Sequence, residues 1–254
     1  MEEEIEFLKS NTTYGNALEK SWKKNNQSKD FEFEILLAHQ CESNNLKLSY
    51  EESVNPENEK TVDFTTTLGG IKINIELVRV GLNKGIRALQ ESQGSGELTG
   101  YTLESDATNP DFQTSTQAIK LQMGLLEKVH KFIEASSTTI NIICVDCTNF
   151  HVGRMDHDDV AVVMWGKPYN PFFGEHFNGE RIKGVLEDSY EKRGSDLFKT
   201  NISAVIFVPR LKHLPLDYAY MAINNRQEDD HIKLVLGTIS QNNPFTEIKI
   251  CRLP

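Results

Sequence analysis

Long apolar runs are missing from the sequence. The longest, such as Ile35–Leu37 and Ala204–Val208, are far too short to span a bilayer. Cysteine is scarce: Cys41, Cys144, Cys147 and Cys251 are four irregularly spaced residues among 254, so a disulfide framework is not expected and a reducing cytoplasm fits. Positive charge is also short, with 27 Lys and Arg against 37 Asp and Glu and a formal charge of −10, which argues against a general nucleic-acid coat. An enzyme touching nucleic acid along one locally basic groove stays open. The opening residues, MEEEIEFLK, are acidic where a secretory signal is basic and then apolar, so neither a secreted nor a membrane protein is expected. Repeats with the periods of solenoids or propellers are lacking too.

What remains is enough for a folded core. Hydrophobic residues make up 38% of the chain, with thirteen Phe and seven Tyr. Residues 1–29 read as a polar, partly helical lead-in, residues 30–150 as the core of a single domain, and residues 151–254 as a C-terminal elaboration. From Asp30, a plausible N-cap, the spacing of Phe33, Leu36, Leu37 and Cys41 predicts a helix with one buried face. Leu46, Leu48 and Tyr50 alternate as in a strand; Thr61–Thr67 is β-branched, Gly69-Gly70 signals a hairpin, and Ile71–Val80 alternates strictly. A helix-like stretch reaches Gln90, and the polar segment Glu91–Pro110 reads as a loop. Residues 115–135 are predicted helical, with Ala118, Leu121, Leu125, Val129 and Phe132 on one stripe, and Thr139–Val145 as a buried strand. The order is that of an α/β fold with a mixed sheet flanked by helices.

Three acidic residues are candidates for chemistry: Glu34 in the first predicted core helix, Asp63 in the second strand and Glu76 in the third. The hairpin is long enough to bring Asp63 and Glu76 side by side. On the third strand Ile71, Ile73, Ile75 and Leu77 share one face, and Lys72, Asn74, Glu76 and Val78 the other. A carboxylate within so apolar a strand is costly unless it meets a cation or a metal. Hard oxygen donors suit Mg²⁺.

Together, Glu34 in FEFEILLAHQ, Asp63 in TVDF, Glu76 in INIELVRV and the helix TQAIKLQMGLLEKVHKF resemble the PD-(D/E)xK phosphodiesterase superfamily over residues 30–150. The resemblance implies a restriction-endonuclease-like αβββαβ core, a divalent metal (Mg²⁺ or Mn²⁺) on Glu34, Asp63 and Glu76, and cleavage of a nucleic-acid backbone, with DNA the expected substrate. It departs from the pattern at Val62, where Pro is usual, and at Val78, where the family carries its lysine. Arg79 lies on the opposite face from Glu76. Lys120 on the following helix is the candidate surrogate, with Gln117 orienting water or phosphate. A second reading keeps the fold as a non-catalytic protein- or nucleic-acid-binding module. Oligomeric state is left open, with a dimer one arrangement the resemblance allows.

Other signals point to no chemistry. Cys144-x-x-Cys147 lies on or just after a strand, where residues three apart face opposite ways, and reads as two buried thiols. Asp156–Asp159 reads as a hydrophilic loop feeding a strand over Val160–Met164. The segment GLNKGIR, residues 81–87, reads as a solvated loop, and no nucleophile elbow, Walker or dinucleotide motif is present.

Overall fold

The computed structural model describes residues 1–25, 29–81, 114–148, 155–166, 176–177, 180–208, 218–224 and 247–251. The expected helix after Gly81 and the loop at residues 91–110 lie outside the described residues. Helices α1 (Glu2–Asn11), α2 (Gly15–Lys24) and α3 (Lys29–Ser43) lead into strands β1 (Ser49–Ser53), β2 (Thr61–Leu68) and β3 (Ile71–Arg79). Helix α4 (Thr114–Lys128) ends in a 3₁₀ turn at Val129–Lys131, and β4 (Thr139–Asp146) follows. Then come α5 (His157–Trp165), the short ribbon β5 (His176–Phe177) and β6 (Glu180–Arg181), α6 (Ser195–Asn201), β7 (Ala204–Val208), β8 (Tyr218–Ile223) and β9 (Glu247–Cys251).

Seven of these strands form one mixed sheet in the order β1-β2-β3-β4-β7-β8-β9. The hairpin arms are antiparallel, β3, β4 and β7 run parallel, β8 turns back against β7, and β9 is parallel to β8. The fold is therefore α/β, with helices on both sides of the sheet. One face carries Ile71, Ile73, Ile75 and Leu77 of β3 with Ile140 and Ile142 of β4, packed under α1–α3 through Leu8, Leu18, Phe33 and Leu37. The other carries Val78, Ile143, Val145, Val205 and Phe207 under α4–α6, with Leu121, Leu125, Val160 and Phe198. Cys144 belongs to the first face and Cys147 to the second; all four cysteines are buried free thiols. No helix among the described residues is long and apolar enough to cross a membrane.

Four sequence expectations need correcting. Asp30 is not the cap of α3: the helix begins at Lys29, and Asp30 in its first turn meets Arg79 at 3.2 Å. Strand β1 starts at Ser49 rather than Leu46, because Leu46 and Leu48 are drawn into the core by a buried carboxylate. Glu42 accepts from the Leu48 N–H at 2.9 Å, the Tyr14 hydroxyl at 3.0 Å and Lys47 Nζ at 3.0 Å, which fixes the turn between helix and strand. Asp156–Asp159 is a helix start, not a loop before a strand. Asp156 caps α5 by accepting from the Asp158 and Asp159 N–H groups, and the Asp159 carboxylate answers on the Asp156 N–H. Val160–Met164 is then buried helix on nearly all sides, a case in which an apolar run hides its period.

The largest revision concerns the C-terminal third. It does not sit outside a finished core, because β7 is an interior strand pairing with β4 from Ile142↔Ala204 to Asp146↔Val208. A polar seam ties these parts together. Asn74 donates to Asn141 Oδ1 at 2.7 Å, and Asn141 Nδ2 in turn donates to the Asn201 carbonyl at 2.7 Å and the Ile133 carbonyl at 2.8 Å. Buried amide hydrogen bonds of this kind fix strand register.

Candidate active site

The site begins where the hairpin comes apart. Pairing of β2 with β3 runs from Leu68↔Ile71 to Phe64↔Ile75 and goes no further. Phe64 packs under α1–α3 while Val62 packs on the opposite face, so the alternation of β2 slips at Asp63. The neighbouring strand is irregular at the same level: Glu51, opposite Asp63, has φ 54°. Into this opening Asp63 directs Oδ2, which accepts the Leu77 N–H at 2.6 Å. A side chain thus replaces the ladder partner that β3 has lost, and that is why the carboxylate is held beside Glu76.

Glu76 lies in the middle of β3 and is fully buried. Such a charge costs several kcal/mol unless paired. Here two cations meet it: Lys128 Nζ lies 2.6 Å from Oε1, and Lys131 Nζ 2.6 Å from Oε1 and 2.7 Å from Oε2. Both lysines come from the end of α4 and its 3₁₀ turn. With three residues per turn, side chains three apart eclipse one another, so Lys128 and Lys131 stack over one acceptor. Burial works to lower the Lys128 ammonium, but the attraction of Glu76 and the hydrogen bond to it prevail and hold it above its ordinary range.

Glu34 approaches from α3. Its carboxylate accepts from the Tyr50 hydroxyl at 3.3 Å, and the Tyr50 ring packs on Phe64 and Tyr14 with centroids 5.5 Å and 5.7 Å away. Burial, and then repulsion by Asp63, push the Glu34 carboxyl up to about 8; Glu51 and Glu76 add to the repulsion. Asp63 is pushed up to about 6 by burial and by Glu76, while the Leu77 N–H, Lys131 and Lys128 act against the rise. The three carboxylates therefore share one electrostatic neighbourhood. Asp63 and Glu76 disfavour the ionised form of Glu34, and Glu76 disfavours that of Asp63, a pattern that concentrates at functional sites.

Lys120 is exposed on α4, about two turns before the lysines that reach Glu76, and Gln117 is buried on the same helix. Val78 is buried on the face of α4, where a Cβ added to Gly124 would lie 3.5 Å from its Cγ1. The sequence reading missed Lys128, Lys131 and Tyr50. A signal for the first was present: Lys128 stands three residues after Leu125 and seven after Leu121, on the buried stripe, where a lysine calls for a partner.

Among the described residues, no group of three or more His, Cys, Asp or Glu is assembled to hold a metal ion. Comparison of the chain with family models, with curated proteins and with solved structures returns no match. The geometry of the site therefore carries the functional argument.

Proposed function

We propose that the chain is a divalent-metal-dependent nuclease-like phosphodiesterase with a restriction-endonuclease-like core, in which Lys128 and Lys131 replace the lysine missing at Val78. The observation that supports this most is the placement of Asp63 beside Glu76 at a break in the β2–β3 hairpin, with two ammonium groups on Glu76 and Glu34 close enough to be repelled by Asp63. The order of helix, hairpin, helix and parallel strand agrees with that reading.

The donors suit a magnesium-like ion in kind. They are hard carboxylate oxygens with no thiol or imidazole among them, and two of the three hold protons more tightly than usual because they are buried beside other carboxylates. Mg²⁺ is held through one or two carboxylates and keeps several waters, so Asp63 with Glu76 or Glu34 suffices. A bound ion would supply Lewis acidity toward a phosphodiester and lower the pKa of a coordinated water. The chain's own residues do the rest. The Leu77 N–H fixes Asp63, Tyr50 fixes Glu34, and the lysine pair offers positive charge to a phosphate in the cleft.

The test is cleavage of DNA and RNA by purified protein with Mg²⁺ or Mn²⁺, beside Asp63→Ala. Metal-dependent cleavage lost in the variant is expected. Absence of cleavage, with metal binding indistinguishable in the two proteins, would overturn the proposal. A second reading, a non-catalytic module bound to nucleic acid or to a protein partner, is favoured by one observation: both Glu76 oxygens are already engaged by lysine. It predicts a stable complex that survives loss of the carboxylates. The four buried free thiols support a reducing, cytoplasmic setting.

A further inference from the structure

We propose that Lys128 and Lys131 are a built-in counter-cation that competes with a divalent ion for Glu76, and that the ammonium groups pass to the substrate's phosphodiester when the ion takes the carboxylate. This inference rests on the metal-dependent reading above and adds to it a coupling between ion and substrate.

Asp63 and Glu76 carry two negative charges when ionised, Glu34 beside them keeps its proton up to about 8, and the two lysines seated on Glu76 carry two positive charges. Adding a doubly charged cation to that balanced set is favourable only if the ammonium groups withdraw or another anion enters. A phosphodiester is such an anion, and the withdrawing lysines are the groups to receive it. Ion and phosphodiester then favour each other's binding, a linkage that must be reciprocal.

Geometry makes the withdrawal available. Glu76 is wholly buried and fixed in the centre of a strand, whereas the Lys128 and Lys131 side chains are 32% and 20% exposed and come in from the rim. Their flexible four-carbon stems carry compact charges that reorient without moving backbone. The segment bearing them changes from α to 3₁₀ winding between Lys128 and Val129, which stacks both side chains on one line of approach.

The experiment is calorimetric titration of Mn²⁺ into the full chain, Lys128→Met and Lys131→Met, each alone and with dimethyl phosphate as the diester probe, folding being checked by circular dichroism. For the natural chain, dimethyl phosphate is expected to tighten Mn²⁺ binding about tenfold. In each variant Mn²⁺ alone is expected to bind about tenfold tighter, with most of the effect of dimethyl phosphate gone. Equal Mn²⁺ affinity in all three proteins, or a diester effect retained in the variants, would overturn the inference while leaving the metal-dependent reading in place. No Mn²⁺ binding to any of them, with or without the diester, would overturn both. Should the variants fail to fold, NMR of ¹⁵N-labelled lysine side chains in the natural chain decides the point. Mg²⁺ is expected to move two ammonium signals toward solvent-exposed values, and signals unmoved at saturating Mg²⁺ would sink the proposal.

Discussion

Glu42 and Glu76 are both buried carboxylates that meet lysine, and they are opposite kinds of site. Glu42 collects one hydroxyl, one backbone N–H and one ammonium, two of them from within six residues, and holds the turn between α3 and β1. Glu76 takes both of its cations from more than fifty residues away and lies against Asp63, whose own charge it opposes. The first arrangement is complete and local. The second is assembled by the tertiary fold, and its neighbouring charges oppose one another, a condition that burial alone would not favour and that a bound cation would relieve.

The largest effect should come from stripping Glu76 of both cations. Lys128→Met with Lys131→Met leaves an unpaired buried charge, and urea unfolding at neutral pH should show a loss of about 3–5 kcal/mol. Glu42→Ala should cost about 2–4 kcal/mol, because the Leu48 N–H and the Tyr14 hydroxyl lose their acceptor in the interior. If the comparison is right, this second loss leaves Mn²⁺ binding unchanged. A fall in Mn²⁺ affinity in Glu42→Ala would break the distinction between the two carboxylates.

Dependence on pH sharpens it further. Glu34 and Asp63 hold their protons more tightly in the folded chain, at about 8 and about 6, than at their ordinary values of 4.5 and 3.8. At these two carboxyls the folded state binds more protons than the unfolded one between those limits, so their contribution to stability falls as pH rises from about 4 to about 8. After allowance for solvent screening, Glu34→Gln should recover on the order of 1–2 kcal/mol at pH 8 and nothing at pH 4. Urea midpoints across that range would measure it, and a flat difference between the proteins would contradict the repulsion described here.

Smaller effects belong to residues outside the comparison. Asp156→Ala removes the cap of α5 and should cost about 1 kcal/mol in thermal unfolding. Lys120→Ala should change stability by less than about 0.5 kcal/mol and leave Mn²⁺ binding untouched.

How legible all this is in the sequence depends on the kind of signal. The α/β class and the faces of β3 follow from period-two alternation over Ile71–Leu77, which admits one arrangement. The nearness of Glu34, Asp63 and Glu76 was a matter of chain order. The partner of Glu76 was harder, because Lys120 and Lys128 both follow the strand and only burial separates them: one is exposed, the other stands over the carboxylate. Helix α5 was mistaken for loop and strand because a helix buried nearly all round shows no polar stripe, although its Asp156–Asp159 box was readable. The interior place of β7 was not legible, since pairing between distant segments leaves no local mark.

That interior place has a bearing on how the molecule comes into being. Until Ala204–Val208 has left the ribosome, β4 has nothing on its far side, and a row of unpaired amides and carbonyls beside Ile142, Cys144 and Val145 faces the crowded cell. An open, apolar margin of this sort invites pairing with other nascent chains. Shortened versions that stop near residue 150 are therefore expected to aggregate, which light scattering would show.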